Sequence, residues 1–133
     1  MPACQPRKRL AFSPSVSTTM QFAIMLSGQL DHPHHKIALR LCRQALDDGH
    51  QLNILFFTGD AVASGCKNTG SSNQADWQQL ARDSGAELIL CSRSADALGI
   101  HSEHVAPHYG LGGLALWIDA SLNADRCLQF GGE

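Results

Sequence analysis

The sequence predicts a small doubly wound α/β domain, in which a mostly parallel sheet of about five strands carries helices on both faces. Three observations lead to this fold class. Apolar, strand-like runs alternate along the chain with helical patterns. The connections between them are short, as in units that pair neighbouring parallel strands. Glycines stand where two of the helical patterns end.

The first strand is predicted at residues 21–28, where the apolar run QFAIMLSG ends in a turn. A helix follows, with Pro33 in its first turn and Gly49 just after its end. Its apolar residues recur with helical spacing and form a stripe that would cover the sheet. The stripe consists of Ile37, Ala38, Leu41, Cys42 and Ala45. Cys42 is therefore predicted to be a core residue.

The next two strands alternate with helices in the same way. Residues 51–60 are predicted to form a second buried strand, and residues 75–85 a helix that ends at Gly85. Residues 86–91 form the third strand. A helix begins directly after it, with Ser92 or Ser94 as its N-cap.

The last third of the chain is less regular at its start. Residues 101–110 are ambiguous, and Pro107 restricts any strand there to a short one or to the edge of the sheet. Residues 111–123 are predicted to form the last helix, and residues 124–130 the final strand.

Length and charge limit the classes of function. A chain of 133 residues fits one domain, predicted at residues 20–133 after a flexible leader, residues 1–19, with a basic cluster at residues 7–9. Met20 is then the start of the folded part or an alternative initiator. From Met20 onward seven Lys and Arg residues face twelve Asp and Glu residues, which disfavours direct binding of nucleic acid. No apolar run approaches the roughly 20 residues of a membrane span, and no signal peptide is recognised, so a cytoplasmic protein is expected.

The five cysteines predict neither a disulfide framework nor a zinc site, because their spacing is wide. Cys127 is interpreted as a packing residue, Cys66 as a loop thiol that could be exposed, and Cys4 as part of the leader. Cys91 differs, because it lies where a strand meets a helix, at the edge of the sheet where ligands gather. The unpaired N–H groups of the helix start, and Arg93, would stabilise a thiolate there. The alternative is a small, buried apolar side chain.

Three of the seven histidines, His32, His34 and His35, follow the first strand and are expected at the same edge as Cys91. A surface position is the default interpretation, and proton transfer or pairing with a thiolate is the alternative. The edge could also bind a small molecule, with His34, His35 or Asp60 as polar contacts. Neither a metal site nor a cofactor motif is predicted.

Four segments resemble, in order, successive blocks of the DsrE/TusD family of sulfur-relay proteins. They run from residue 20 to residue 130: MQFAIMLSG, ALRLCRQALDDGHQLNILFFTGDAV, WQQLARDSGAELILCSRSADALGI and GLGGLALWIDASLNADRCLQF. The most specific features are the pattern DGH…FF, the cysteine that closes the third strand, and the pattern LGGL…AS…ADR…QF. Residues 1–19 lie outside the family pattern, and residues 101–110 form a shorter segment than the corresponding TusD-like stretch.

The resemblance implies that Cys91 accepts a sulfane sulfur as a persulfide and passes it on. The N–H groups of Ser92 and Arg93, at the predicted helix start, are expected to stabilise the anionic sulfur. The implied partners are a sulfur-donor protein, a TusE-like acceptor, and TusB- and TusC-like paralogues or further copies of the chain, in a homo- or hetero-oligomer. The sulfur would serve 2-thiouridine formation in tRNA. Two alternatives stay open: dissimilatory sulfur metabolism, and a non-catalytic subunit that serves only assembly.

Overall fold

The computed structural model describes residues 19–29, 32–67, 69 and 73–131, so the predicted leader, with Cys4 and the basic cluster, lies outside the described residues except for Thr19. Within these ranges the elements follow in the order β1 (Gln21–Leu26), α1 (Pro33–Asp47), β2 (Gln51–Phe57), α2 (Gln74–Ser84), β3 (Glu87–Cys91), α3 (Ser92–Ala97), β4 (Tyr109–Gly112), α4 (Leu114–Leu122) and β5 (Arg126–Phe130). Two short 3-10 helices, Gly59–Gly65 and Ser102–His104, lie in the connections.

The five described strands form one parallel sheet with the order β4-β3-β2-β1-β5. The chain lays down β1 to β4 side by side and then crosses back to place β5 on the free side of β1. This arrangement confirms the predicted fold class. It also confirms the prediction made from Pro107, because β4 has only four residues and lies at an edge.

The larger hydrophobic cluster lies between the sheet and the layer of α1 and α2. Trp77 of α2 meets Phe57 of β2 edge-on, with ring centroids 5.6 Å apart, and Phe57 also contacts Tyr109 of β4. Trp77 and Phe57 are fully buried, and burial of side chains of this kind contributes about 1.5–3 kcal/mol each. Cys42 is also fully buried in this cluster, as predicted.

The predicted buried stripe of α1 is wrong at two positions. Ile37 and Leu41 are 59% and 41% exposed, whereas Leu39 and His35 are buried in their place. The reason is that α1 packs against α2 as well as against the sheet, and Leu39 lies on the side of α1 that faces α2. An exposed ion pair between Arg43 of α1 and Asp83 of α2, at 2.7 Å, joins the two helices.

Glycines end the first two helices, as the sequence predicts. Gly49 follows the C-cap residue of α1 with φ +88°, and Gly85 caps α2 with φ +77°. This left-handed conformation costs glycine little, since it has no Cβ. The turns return the chain directly to β2 and β3.

The opposite face of the sheet carries α4 over a smaller cluster of Ala23, Ile54, Phe56 and Ile89. Trp117 contacts Phe56, with ring centroids 6.1 Å apart, but no residue of α4 is fully buried. Four large apolar side chains of this helix are 43–79% exposed and form what we call the α4 apolar surface: Leu114, Leu116, Ile118 and Leu122. The described residues contain no helix with the length and apolar character needed to cross a bilayer.

Candidate functional site at the carboxyl edge of the sheet

The carboxyl ends of the strands meet at one edge of the sheet, because all the strands are parallel. β1 ends at Leu26, β2 at Phe57, β3 at Cys91 and β4 at Gly112. In doubly wound folds this edge is where ligands bind and chemistry occurs. Cys91 is the thiol that lies there among the described residues.

Cys91 is partly buried and packs at the boundary of both hydrophobic clusters. Side chains alternate between the two faces along a strand. Leu88 and Leu90 belong to the cluster under α1 and α2, so Ile89 and Cys91 are directed to the α4 side. The thiol therefore lies at the rim of the core, between the end of β3 and the α4 layer.

The start of α3 differs from the prediction. Cys91 itself is the N-cap residue and Ser92 is the first helical residue, so neither Ser92 nor Ser94 is the N-cap. The Cys91 side chain makes no capping hydrogen bond within the described part of the helix, which leaves the N–H groups of Ser92 and Arg93 beside it without an intrahelical partner. The Arg93 side chain is exposed.

Ser94 does not cap α3 but binds a neighbouring loop. Its hydroxyl oxygen accepts a hydrogen bond of 3.0 Å from the backbone N–H of Gly59, which opens the 3-10 helix after β2. This bond joins the loops that follow two neighbouring strands. It connects α3, which begins directly after Cys91, to the loop after β2. The sequence gives no local signal for this contact, because the two residues are 35 positions apart.

His34 and His35 lie in the first turn of α1, on the face of the sheet opposite to α4. Their Nε2 atoms are 2.8 and 3.0 Å from the carbonyl oxygen of Ser27. A carbonyl oxygen only accepts, so both rings donate from Nε2. β1 is two strands from β3, roughly 10 Å away. The structure thus places both histidines at the carboxyl edge, as expected, but beside the end of β1 rather than next to Cys91. His35 is buried, so the default interpretation of a surface position was wrong for this residue. Asp60 lies exposed in the loop after β2.

Two of the other described thiols differ from Cys91 in burial, because Cys42 is buried and Cys127 is exposed, whereas Cys66 is partly buried like Cys91. Burial raises the pKa of Cys42 from 9.0 to about 12, an effect that nearby Arg43 partly opposes. Burial also raises the pKa of Cys66, whose backbone forms an isolated antiparallel bridge with Val105. Cys127 is exposed, so its interpretation as a packing residue was wrong. Its Sγ atom donates a hydrogen bond of 3.7 Å to the backbone carbonyl oxygen of Ser121 in α4, and its position on the edge strand β5 leaves the side chain exposed.

The residue that lies beside Cys91 on the neighbouring strand was not identified from the sequence. Gly112 of β4 is its registered partner, and Gly110 is the partner of Ile89. The segment YGLGG carries the only local signal, two glycines at the spacing that places both on one face of a strand. Within the described residues, no group of three His, Cys, Asp or Glu side chains could hold a metal ion.

Comparisons with known proteins agree with this architecture. A profile of the DsrE/DsrF-like family matches residues 20–130. A Pseudomonas aeruginosa protein named Sulfurtransferase TusD homolog is 32% identical over 130 aligned residues, covering 86% of this chain and 99% of the relative. A Salmonella arizonae protein named Sulfurtransferase TusD is 30% identical over 128 aligned residues, covering 84% of this chain and 100% of the relative. The crystal structure of the ychN protein from E. coli has a TM-score of 0.72 at 21% identity, covering 84% of this chain and 100% of that chain, and is a likeness in fold.

Proposed function

The chain belongs to the DsrE/DsrF-like family, and from this premise we propose that it is a sulfurtransferase of the sulfur-relay type, with Cys91 as the residue that carries sulfur. The observation that supports this role is the location of Cys91. It closes β3 at the carboxyl edge and is partly buried, unlike the fully buried Cys42 and the exposed Cys127. Cys66 is also partly buried, but it lies in a loop and burial raises its pKa. Such a position is accessible to a partner's thiol and still sheltered from most of the solvent.

The proposed reaction has two balanced steps. The Cys91 thiolate attacks the outer sulfur of a donor persulfide, R–S–SH. A bond forms between Sγ and that sulfur, the donor's S–S bond breaks, and the donor leaves as a thiolate, R–S⁻. An acceptor thiolate then attacks the outer sulfur of Cys91–S–SH and releases the Cys91 thiolate. Neither step needs an external oxidant or reductant.

The backbone beside Cys91 supports an anionic sulfur in both steps. The N–H groups of Ser92 and Arg93 begin α3 and are not used within the helix. An anion next to such groups is stabilised by their partial positive charge. In the proposed reaction this stabilisation serves both the attacking thiolate and the ionised persulfide. His34 and His35 are assigned no step, because their Nε2 atoms are hydrogen-bonded to Ser27.

A relay protein must bind other proteins, and the α4 apolar surface supports this part of the proposal. Large apolar side chains exposed together on one helix are unusual for a protein that stays alone in water. We expect the chain to work in an oligomer with TusB- and TusC-like paralogues or with further copies of itself. We also expect a sulfur-donor protein and a TusE-like acceptor, in the cytoplasm, where thiols are kept reduced.

We propose that the sulfur serves 2-thiouridine formation in tRNA, as the resemblance to TusD-like sulfur-relay proteins implies. The names of the two compared relatives, Sulfurtransferase TusD homolog and Sulfurtransferase TusD, support a role in sulfur transfer. From residue 20 onward the chain is acidic, so it would reach tRNA through its protein partners rather than by direct binding. A DsrE-type role in dissimilatory sulfur metabolism would use the same cysteine chemistry. Transfer from the loaded protein to each class of acceptor distinguishes the two.

The test is to load the purified chain with sulfur. The protein is incubated with a cysteine desulfurase and cysteine, then alkylated, and its cysteine-containing peptides are analysed by mass spectrometry. We expect the Cys91 peptide to gain the mass of one sulfur atom, and Cys91→Ser to abolish this gain. Cys127→Ser is the matched control, because it removes a more exposed thiol, and it should load like the wild type.

The competing function is a subunit that serves only assembly, which the α4 apolar surface alone would also fit. If Cys91 stays unmodified while the protein still forms its complexes, this second function is correct and the relay proposal is refuted. If the sulfur appears on Cys66 or Cys127 instead, the sulfur-carrying residue has been misassigned.

A further inference from the structure

The space beside Cys91 is shaped by two glycines of β4. In a parallel pair, registered residues direct their side chains to the same face of the sheet. Gly112 is registered with Cys91, and Gly110 with Ile89. Ile89 faces the α4 layer, so the α4 side of the edge strand β4 carries no side chain at either position beside Cys91.

Gly112 has no room for a side chain. A Cβ at this position would lie 2.3 Å from Leu116 Cδ1 and 2.9 Å from Ile89 Cγ2. The backbone of Gly112 does not lie in the left-handed region, so the reason for glycine here is space rather than conformation. Gly110 differs, because its Cβ would meet only Ile89 Cδ1, at an ordinary 3.7 Å.

Leu116 occupies the space that Gly112 leaves. It belongs to the first turn of α4, is 43% exposed, and rests its side chain on the end of β4. A methyl group at Gly112 would force Leu116 Cδ1 to retreat by about 1.5 Å to reach an ordinary contact distance. Whether Leu116 or the strand moves, the added methyl group takes up volume on the face of the sheet that carries the Cys91 thiol. The strand β4 lies next to β3, at a spacing of about 4.8 Å.

We propose that Gly112 is a positioning residue that seats Leu116 against β4 and so keeps the approach to the Cys91 thiol wide enough for a protein-bound persulfide. Gly112 acts through Leu116, and Leu116 sets the width of the entrance on the α4 side. This inference rests on the proposed relay function for its purpose. Its geometry, however, can be tested without any sulfur transfer.

The test compares a small and a bulky thiol reagent on Cys91. Iodoacetamide and a maleimide carrying a long polyethylene glycol chain are applied under native conditions, and the rate at the Cys91 peptide is followed by mass spectrometry. In Gly112→Ala we expect the ratio of the bulky-reagent rate to the small-reagent rate to fall below the wild-type value, because the added methyl group lies on the same face of the sheet as Cys91. The ratio should recover in Gly112→Ala/Leu116→Ala. Gly110→Ala, on the same strand and face, should keep the wild-type ratio.

Sulfur transfer is measured in the same variants with the desulfurase as donor. We expect the loading rate to follow the bulky reagent: reduced in Gly112→Ala and restored in the double variant. If the wild type takes up no sulfur at all, the relay function fails, while the reagent ratio still decides the role of Gly112.

Three results would overturn the inference. One is an unchanged reagent ratio in Gly112→Ala. The second is an equal fall of both reagent rates that Leu116→Ala does not restore, since the thiol itself would then be perturbed. The third result applies if Gly112→Ala does not fold. Leu116→Ala alone is expected to raise the reagent ratio above the wild-type value, so an unchanged ratio in this variant refutes the role of Leu116.

Discussion

Replacing Gly65 with alanine tests how the loop after β2 supports the site. Gly65 ends the 3-10 helix Gly59–Gly65 against the buried face of β3 and β4. A Cβ there would lie 2.6 Å from Leu90 Cδ1, 2.8 Å from Leu90 Cδ2 and 2.7 Å from Tyr109 Cδ1. Leu90 precedes Cys91 directly, and both Leu90 and Tyr109 are buried, so neither can move away into solvent.

The expected destabilisation follows from these distances. Forcing an extra methyl group into a packed core costs about 1–3 kcal/mol. Exchanging glycine for alanine offsets about 0.4–1 kcal/mol, because the unfolded chain loses freedom. The difference of these ranges is centred on a net loss of about 1–2 kcal/mol. For a chain of this length each kcal/mol lowers Tm by about 3–5 °C, so Tm should fall by roughly 3–10 °C.

Urea unfolding followed by tryptophan fluorescence measures the effect, since Trp77 is fully buried against Phe57. We expect the midpoint concentration to fall while the m-value stays constant. Gly110→Ala is the control, because its Cβ finds an ordinary contact, and its stability should lie within about 0.5 kcal/mol of the wild type. A Gly65→Ala variant as stable as the wild type would refute the close packing of this loop on β3.

Three further predictions concern stability and assembly. Since burial raises the pKa of Cys42 from 9.0 to about 12, the unfolded chain ionises first as pH rises. The ionisation of Cys42 should therefore leave the free energy of unfolding unchanged below about pH 9 and lower it at higher pH. Urea titrations at pH 8 and pH 10.5 measure this decrease, which should be smaller in Cys42→Ala than in the wild type. Ser94→Ala removes the acceptor for the Gly59 N–H and should cost about 0.5–1.5 kcal/mol in thermal unfolding; no change would mean that this bond does not hold α3. Leu122→Lys should change monomer stability by less than about 0.5 kcal/mol, since Leu122 is 79% exposed, yet weaken association in sedimentation velocity. Leu98→Lys, exposed outside α4, is its control, and equal effects of both would exclude the α4 apolar surface as an interface.

The sheet and its helices could be predicted because their signals are local. Apolar runs mark the strands, and Gly49 and Gly85 mark helix ends, since few other residues adopt the left-handed conformation at low cost. The short edge strand β4 follows from Pro107 for a similar reason. Cys91 could be located because strand end and helix start meet there in the sequence itself.

The remaining features depend on contacts between distant parts of the chain. The rotation of α1, which buries Leu39 and exposes Ile37, depends on packing against α2 as well as against the sheet. The spacing of apolar residues shows which side of a helix is apolar, but it does not fix the rotation of the helix about its axis. The pairing of Cys91 with Gly112 depends on the register of two strands. That register is fixed by tertiary packing rather than by either strand alone.

The most direct test of the relay is to follow one sulfur atom out of the loaded protein. Protein carrying sulfur on Cys91 is freed of donor and mixed with a TusE-like acceptor, and intact masses of both chains are recorded over time. The relay predicts that each sulfur lost from this chain appears on an acceptor cysteine, and that Cys91→Ser transfers none. Sulfur released only as free sulfide, or transferred equally well without Cys91, would contradict it.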